Sequence, residues 1–163
     1  GVLISADGAL VGVLGREGRA LSAAKGAGFA AKSWLENDGD LNDQIAAAER
    51  SGFDGPKTRR SFHIGAWRVV QLKGKAAPES FAAACAEADL VIIAAKVAAN
   101  AGNCRVIDLD LLGQTGGIAL WLAEDGTLRL QPSRIASRLW TGKGQPGTVS
   151  DLVLPTAKLA GTP

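Results

Sequence analysis

The chain of 163 residues is 47% hydrophobic and 21% charged, which is typical of one globular domain with a core of its own. A formal net charge of +2 lacks the concentrated basic excess that marks most nucleic-acid-binding domains. No apolar run reaches the roughly 18 residues of a membrane span, and no signal-peptide pattern is present. Because the chain starts at Gly1 and contains no methionine, we interpret it as a piece of a longer protein, in which any membrane anchor would lie elsewhere.

The N-terminal part of the chain alternates short apolar runs with turn residues. The runs cover residues 2–5, 10–14 and 20–22. Asp7-Gly8 separates the first two and is a dipeptide favoured in hairpin turns that need positive φ. This pattern predicts a small antiparallel meander.

A helical period follows the meander. It predicts a first helix over residues 29–37 and a second over residues 41–50, with Gly52 as the C-terminal cap of the second. The apolar face of the first helix is expected to consist of Phe29, Trp34 and Leu35. Residues 54–60 contain Gly55 and Pro56 and are expected to form a loop.

The second half of the chain predicts an alternation of strands and helices. A hairpin is expected over residues 61–72, and Pro78 suits the first turn of a helix that ends near Ala88. The uninterrupted apolar run at residues 90–93 is typical of a strand buried on both faces. Later elements are expected at residues 105–107 (strand), 108–114 (helix), 118–122 (strand) and 127–130 (strand). The order favours a layered α/β domain.

The stretch 78–130, together with the hairpin before it, carries several distinctive runs. They are Phe-His-Ile-Gly-Ala-Trp-Arg-Val at 62–69, Ala-Asp-Leu-Val-Ile-Ile at 88–93, Val-Ile-Asp at 106–108, Ala-Leu-Trp-Leu at 119–122 and Asp-Gly-Thr at 125–127. These runs resemble the last hairpin, buried strand and closing elements of the nuclease-like C-terminal domain of ComEC-type DNA-uptake proteins. Cys85 and Cys104, placed before successive strands, resemble the alphaproteobacterial branch of that family.

The resemblance implies a fold, a location and partners. The fold would be a layered metallo-β-lactamase-like α/β sandwich, whole or truncated, with a mixed sheet and flanking helices over residues 1–145. Residues 146–163 would form a flexible tail. The domain would belong to an inner-membrane DNA-uptake channel, lie on the extracytoplasmic (periplasmic) side, contact other domains of its own protein and support or gate the passage of transforming DNA.

The metal chemistry of the family is not implied for this chain. Family members carry a His-x-His-x-Asp-His run and a later His-His-Gly-Ser, whereas this chain has one histidine, His63, and Ala94-Ala95-Lys96 after the buried strand. One histidine cannot supply a site for two metals. We therefore expect no catalysis, no bound metal and no small-molecule cofactor, and we interpret His63 as a partly exposed strand residue.

Two carboxylates keep an enzymatic alternative open. Asp108 and Asp110 follow a predicted buried strand, where they could hold Mg²⁺ for an active phosphodiesterase. An Asp at the start of a helix is equally the expected N-cap, and we favour this reading.

The two cysteines allow two interpretations. In a cytosolic protein they would be buried thiols, whereas in an oxidising compartment Cys85 and Cys104 could form a disulfide. A helix end and the start of a neighbouring strand can bring Cα atoms within the roughly 4.4–6.8 Å that a disulfide needs. We expect the disulfide, and with it an extracytoplasmic location.

Basic residues around the hairpin suggest a second function, that of a single-stranded DNA-binding module. Cations interleaved with an aromatic ring could follow a phosphate backbone and stack a base. The candidate contacts are Lys57, Arg59, Arg60, Trp67, Arg68, Lys73 and Lys75. The alternative is an ordinary solvated surface.

Overall fold

A computed structural model describes residues 1–98, 103–133 and 150–152. In these ranges the chain forms a mixed α/β fold with ten strands in two sheets and four helices. In chain order they are β1 (Val2–Ile4), β2 (Val11–Gly15), β3 (Gly18–Leu21), α1 (Gly28–Asn37), α2 (Gln44–Glu49), β4 (Arg59–Ile64), β5 (Trp67–Leu72), α3 (Ala77–Glu87), β6 (Leu90–Ile93), β7 (Arg105–Ile107), α4 (Leu109–Thr115), β8 (Ile118–Leu122), β9 (Leu128–Pro132) and β10 (Ser150–Leu152).

The first sheet has six antiparallel strands in the order β10-β9-β8-β1-β2-β3. The predicted meander is confirmed as β1, β2 and β3. Val2 in β1 is aligned with Val13 on one side and with Leu120 on the other. The N-terminal strand therefore joins the meander to the last hairpin of the chain.

The second sheet has four strands in the order β4-β5-β6-β7. β4 and β5 are antiparallel, whereas β5, β6 and β7 are parallel. Parallel neighbours need a crossover connection, and α3 provides it between β5 and β6. Pro78 lies in the first turn of α3, as predicted.

The two sheets share one core, and helices pack on their outer faces. β6 is buried on both sides, as its apolar run predicts: Leu90 and Ile92 lie in the core between the sheets, and Val91 and Ile93 pack against α3. On the outer side of the first sheet, buried Leu10 and Leu21 pack with residues of α1 and α2. The described layers thus run from helices through two sheets to a helix.

Three local expectations were wrong. Phe29 does not share the buried face of α1, because it is 91% exposed while Leu35 is buried. α2 begins only at Gln44, since Asp43 caps it by accepting a hydrogen bond from the Ala46 N–H. Its C-cap is Arg50 in an extended conformation, not Gly52.

Two further elements differ from the sequence prediction. β4 begins within the predicted loop, at Arg59, and Asp54 forms an isolated bridge with Ser61. Strand β10 lies inside the stretch 146–163 predicted as a tail and pairs with β9. The remainder of that predicted tail lies outside the described residues.

The turn between β4 and β5 lies against the first sheet. Gly65 has a φ of +57°, and a Cβ at this position would come within 2.5 Å of the Leu122 side chain. Glycine adopts this left-handed φ without steric cost.

No helix in the described part of the chain is long and apolar enough to cross a membrane.

Candidate functional site

The edge that follows β6 is closely packed against residues of other segments. Ala94 comes directly after β6, and a Cβ on Gly8 would lie 3.3 Å from the Ala94 Cα and 3.3 Å from Leu112 Cδ1. The resemblance would place the second histidine motif of ComEC-type nuclease domains at this position. Across the described ranges, no group of three or more His, Cys, Asp or Glu side chains is arranged to hold a metal ion.

The two carboxylates proposed for Mg²⁺ have structural partners. Asp108 caps α4 by accepting a hydrogen bond from the Leu111 N–H at 3.0 Å, and it also accepts one from the Val97 N–H at 3.4 Å. Asp110 forms an exposed ion pair with Lys96 at 2.6 Å. The N-cap interpretation of Asp108 is therefore confirmed.

The capping role predicts a stability effect at Asp108. Asp108→Ala should lower the free energy of unfolding by about 1 kcal/mol, because the Leu111 N–H loses its acceptor. Asp108→Asn should cost less than Asp108→Ala, since the amide oxygen can still cap the Leu111 N–H, although the amide NH2 cannot accept from the Val97 N–H. Urea unfolding of both variants checks this, and an equal loss in the two would show that the bond to the Leu111 N–H adds no stability at this end of α4.

His63 lies in the antiparallel hairpin β4–β5, where its residue is aligned with Arg68. Its side chain is exposed, whereas the neighbouring Phe62 is buried in the core between the sheets. The interpretation of His63 as a strand residue facing outward is confirmed.

Cys85 and Cys104 form a disulfide, with their Cα atoms 5.2 Å apart. Cys85 is buried on the face of α3 that packs against the second sheet. Cys104 is half-buried in the same cluster, just before β7. The bond therefore fastens the end of α3 to the strand at the edge of this sheet.

Two of the predicted DNA-contacting arginines are occupied by one carboxylate. Arg59 donates to Glu87 at 2.9 Å and Arg68 lies 3.5 Å from the same oxygen. The two arginines, Arg59 foremost, lower the pKa of Glu87. This exposed trio lies on the α3 side of the second sheet and partly neutralises the basic surface there.

The prediction that Trp67 stacks on a nucleic-acid base is wrong. Trp67 is 0% exposed and lies in the core between the two sheets. Its indole N–H donates to the Gly126 carbonyl at 3.1 Å, in the turn between β8 and β9. A buried ring cannot stack on a base, and Trp67 instead ties one sheet to the other.

The remaining predicted contacts lie at the other end of the hairpin. Lys57 and Lys75 are exposed, whereas Arg60 and Lys73 are half-buried. Arg60 is aligned with the buried Gln71 across the two strands. Sequence reasoning missed the burial of Gln71 and the partial burial of Lys73, because β5, which contains Gln71 and ends just before Lys73, carries polar and apolar residues without a clear two-residue alternation.

An apolar groove of about 440 Å³ was also missed. It runs between α1 and the outer face of the first sheet, where Phe29 and Trp34 face Leu3, Ala119 and Pro132. The sequence assigned Phe29 to a buried helix face, so its exposure beside a groove could not be anticipated.

Comparisons of the chain with protein-family models, curated proteins and solved structures found no match.

Proposed function

We propose that residues 1–145 are a non-catalytic, metallo-β-lactamase-like domain of a ComEC-type DNA-uptake protein. In this proposal the domain supports or gates the passage of transforming DNA by contacting other domains of its own chain. The observation that carries it is the stretch 78–130, whose resemblance to the family coincides with α3, buried β6, β7, α4 and the β8–β9 hairpin.

Two structural features support the proposed fold and location. Helices lie outside two sheets that share one core, and this layer order is compatible with the family fold. The Cys85–Cys104 disulfide supports an extracytoplasmic position, since such bonds persist in oxidising compartments.

The non-catalytic part of the proposal rests on the edge after β6. In ComEC-type nuclease domains the corresponding edge carries metal ligands, whereas in this chain Gly8, Ala94 and Leu112 pack together there. Asp108, one of the two carboxylates considered as Mg²⁺ ligands, caps α4.

A metal and nuclease assay tests this part. The purified 163-residue chain, incubated with Zn²⁺ or Mn²⁺ and then desalted, should retain less than one ion per chain and should not cleave DNA. Asp108→Asn serves as the matched variant, because it keeps the helix cap and removes the carboxylate. Two retained ions with DNA cleavage would contradict the proposal, and cleavage that is lost in Asp108→Asn would favour the phosphodiesterase.

The coding sequence upstream of Gly1 tests the family assignment. The proposal expects a run of transmembrane helices there, and their topology would fix the compartment of this domain. An upstream sequence without such helices would remove the DNA-uptake assignment and leave the fold unaffected.

Single-stranded DNA binding in its predicted form is the weaker candidate. Its stacking residue, Trp67, is buried, and Arg59 and Arg68 share Glu87. Base stacking supplies much of the affinity in such modules, so this candidate would have to rely on charge alone.

A further inference from the structure

The described cations fall into two groups. One group consists of cations that have a carboxylate within ion-pair distance: Arg19, Lys32, Arg50, Arg59, Arg68 and Lys96. Among the cations without a carboxylate at that distance in the described part of the chain, Lys57, Arg60 and Lys73 are distinguished by their proximity to one another, since Arg60 and Lys57 are close enough to Lys73 to lower its pKa. We name these three residues the hairpin-end cluster.

The backbone places the hairpin-end cluster at the open end of β4–β5. Arg60 is the second residue of β4, and Lys73 comes directly after β5. The Lys73 N–H donates to the Thr58 carbonyl at 3.0 Å, which extends the ladder by one step. Lys57 therefore lies one residue beyond the last paired position.

Lys73 is held in an electrostatically unfavourable position. Its half-buried ammonium has a neutral contact, the Ala9 carbonyl at 3.4 Å. Burial lowers the pKa of Lys73, and the charges of Arg60 and Lys57 lower it further. A negative charge placed among the three would relieve this repulsion.

The Nε of Arg60 is a buried donor without a hydrogen-bond partner in the described part of the chain. One terminal nitrogen of Arg60 donates to the Gly55 carbonyl at 2.6 Å. Opposite Arg60, Gln71 donates to the Gly8 carbonyl at 2.9 Å, and the buried Gln71 Oε1 also has no partner in that part of the chain. Buried polar groups are normally satisfied. Of these two groups only the Arg60 N–H is a donor, since the Gln71 Oε1 is an acceptor and cannot bond to an oxyanion.

We propose that Lys57, Arg60 and Lys73 form a binding site for a phosphate oxyanion. A guanidinium and two ammonium groups match the charge and the tetrahedral oxygens of phosphate. The oxyanion belongs either to a free phosphate compound or to the backbone of a nucleic acid. The site does not depend on the DNA-uptake proposal, since it rests on the charges and unpaired groups of this hairpin.

Calorimetric titration of the full chain with sodium tripolyphosphate at low ionic strength tests the site. Arg60→Gln and Lys73→Gln should each weaken binding about tenfold or more, because each removes a charge-assisted hydrogen bond. Lys57→Gln should also weaken binding, and because Lys57 is exposed this variant remains informative if the other two fold poorly. Circular dichroism of each variant verifies folding.

Arg59→Gln is the matched control. Arg59 is the neighbour of Arg60 in β4, but it is bonded to Glu87, so its loss should change tripolyphosphate affinity by less than about twofold. An oligothymidylate that displaces tripolyphosphate, and is weakened by the same variants, identifies nucleic acid as the source, whereas failure to displace identifies free phosphate compounds. Absence of binding by both probes, or equal weakening in Arg59→Gln and Lys73→Gln, would overturn the site.

Discussion

Reduction of the Cys85–Cys104 disulfide should lower the free energy of unfolding by about 3 kcal/mol. The two residues are 19 positions apart, and opening a loop of this length restores roughly that much chain entropy to the unfolded state. The loop includes the end of α3 and all of β6, the strand buried on both faces. Urea unfolding with and without dithiothreitol measures the difference.

The double variant Cys85→Ala/Cys104→Ala is the control for this prediction. Cys85 is buried beside Ala84 and Ala88, so alanine fits the site without a buried hydroxyl. The variant should unfold at the same urea concentration with and without reductant and should match the reduced protein. Equal stability of oxidised and reduced chains would mean that the bond adds no stability.

Several strands could be predicted because their environment imposes a simple pattern on the sequence. β6 packs against a sheet on one side and α3 on the other, so all four of its residues are apolar. The meander has turn residues between short apolar runs, and its register follows from hairpin geometry. The cap of α4 was predictable for a related reason, since Asp108 needs only contacts within its own turn.

Pairings between segments that are far apart in the chain could not be predicted from the sequence. β1 pairs with β8, more than a hundred residues away, and nothing in either run selects that partner. Arg19 also illustrates the limit: it is 5% exposed and donates to both Asp38 oxygens, at 2.6 and 3.0 Å. A sequence shows two distant charges, whereas the burial of Arg19 beside Asp38 depends on where the end of α1 lies against the first sheet.

The predicted DNA contacts were also wrong in part because they depend on packing between distant segments. Period two places Trp67 on one face of β5 and Arg68 on the other, but it does not say which face a second sheet will cover. The first sheet covers the Trp67 side, and Glu87 from α3 reaches Arg59 and Arg68 on the opposite side. Of the cations predicted to contact DNA, those at the hairpin end are the ones with no carboxylate at ion-pair distance in the described part of the chain.

Trp67→Ala should destabilise the protein by about 3–5 kcal/mol. The substitution empties a fully buried position between the sheets, and it costs both transfer free energy and a cavity. It also removes the hydrogen bond to the Gly126 carbonyl. Trp67→Phe should cost less, because most of the ring volume stays and the carbonyl of the exposed Gly126 can accept from water.

Trp121→Ala separates this core role from a general effect of losing tryptophan. Trp121 lies in β8, is aligned with Arg129 and remains partly exposed, so its loss should cost well under the value for Trp67. Urea unfolding followed by circular dichroism compares the variants without depending on tryptophan fluorescence. If Trp67→Ala were no more destabilising than Trp121→Ala, the ring would have to be accessible in solution, and base stacking by Trp67 would return as an explanation for any DNA binding.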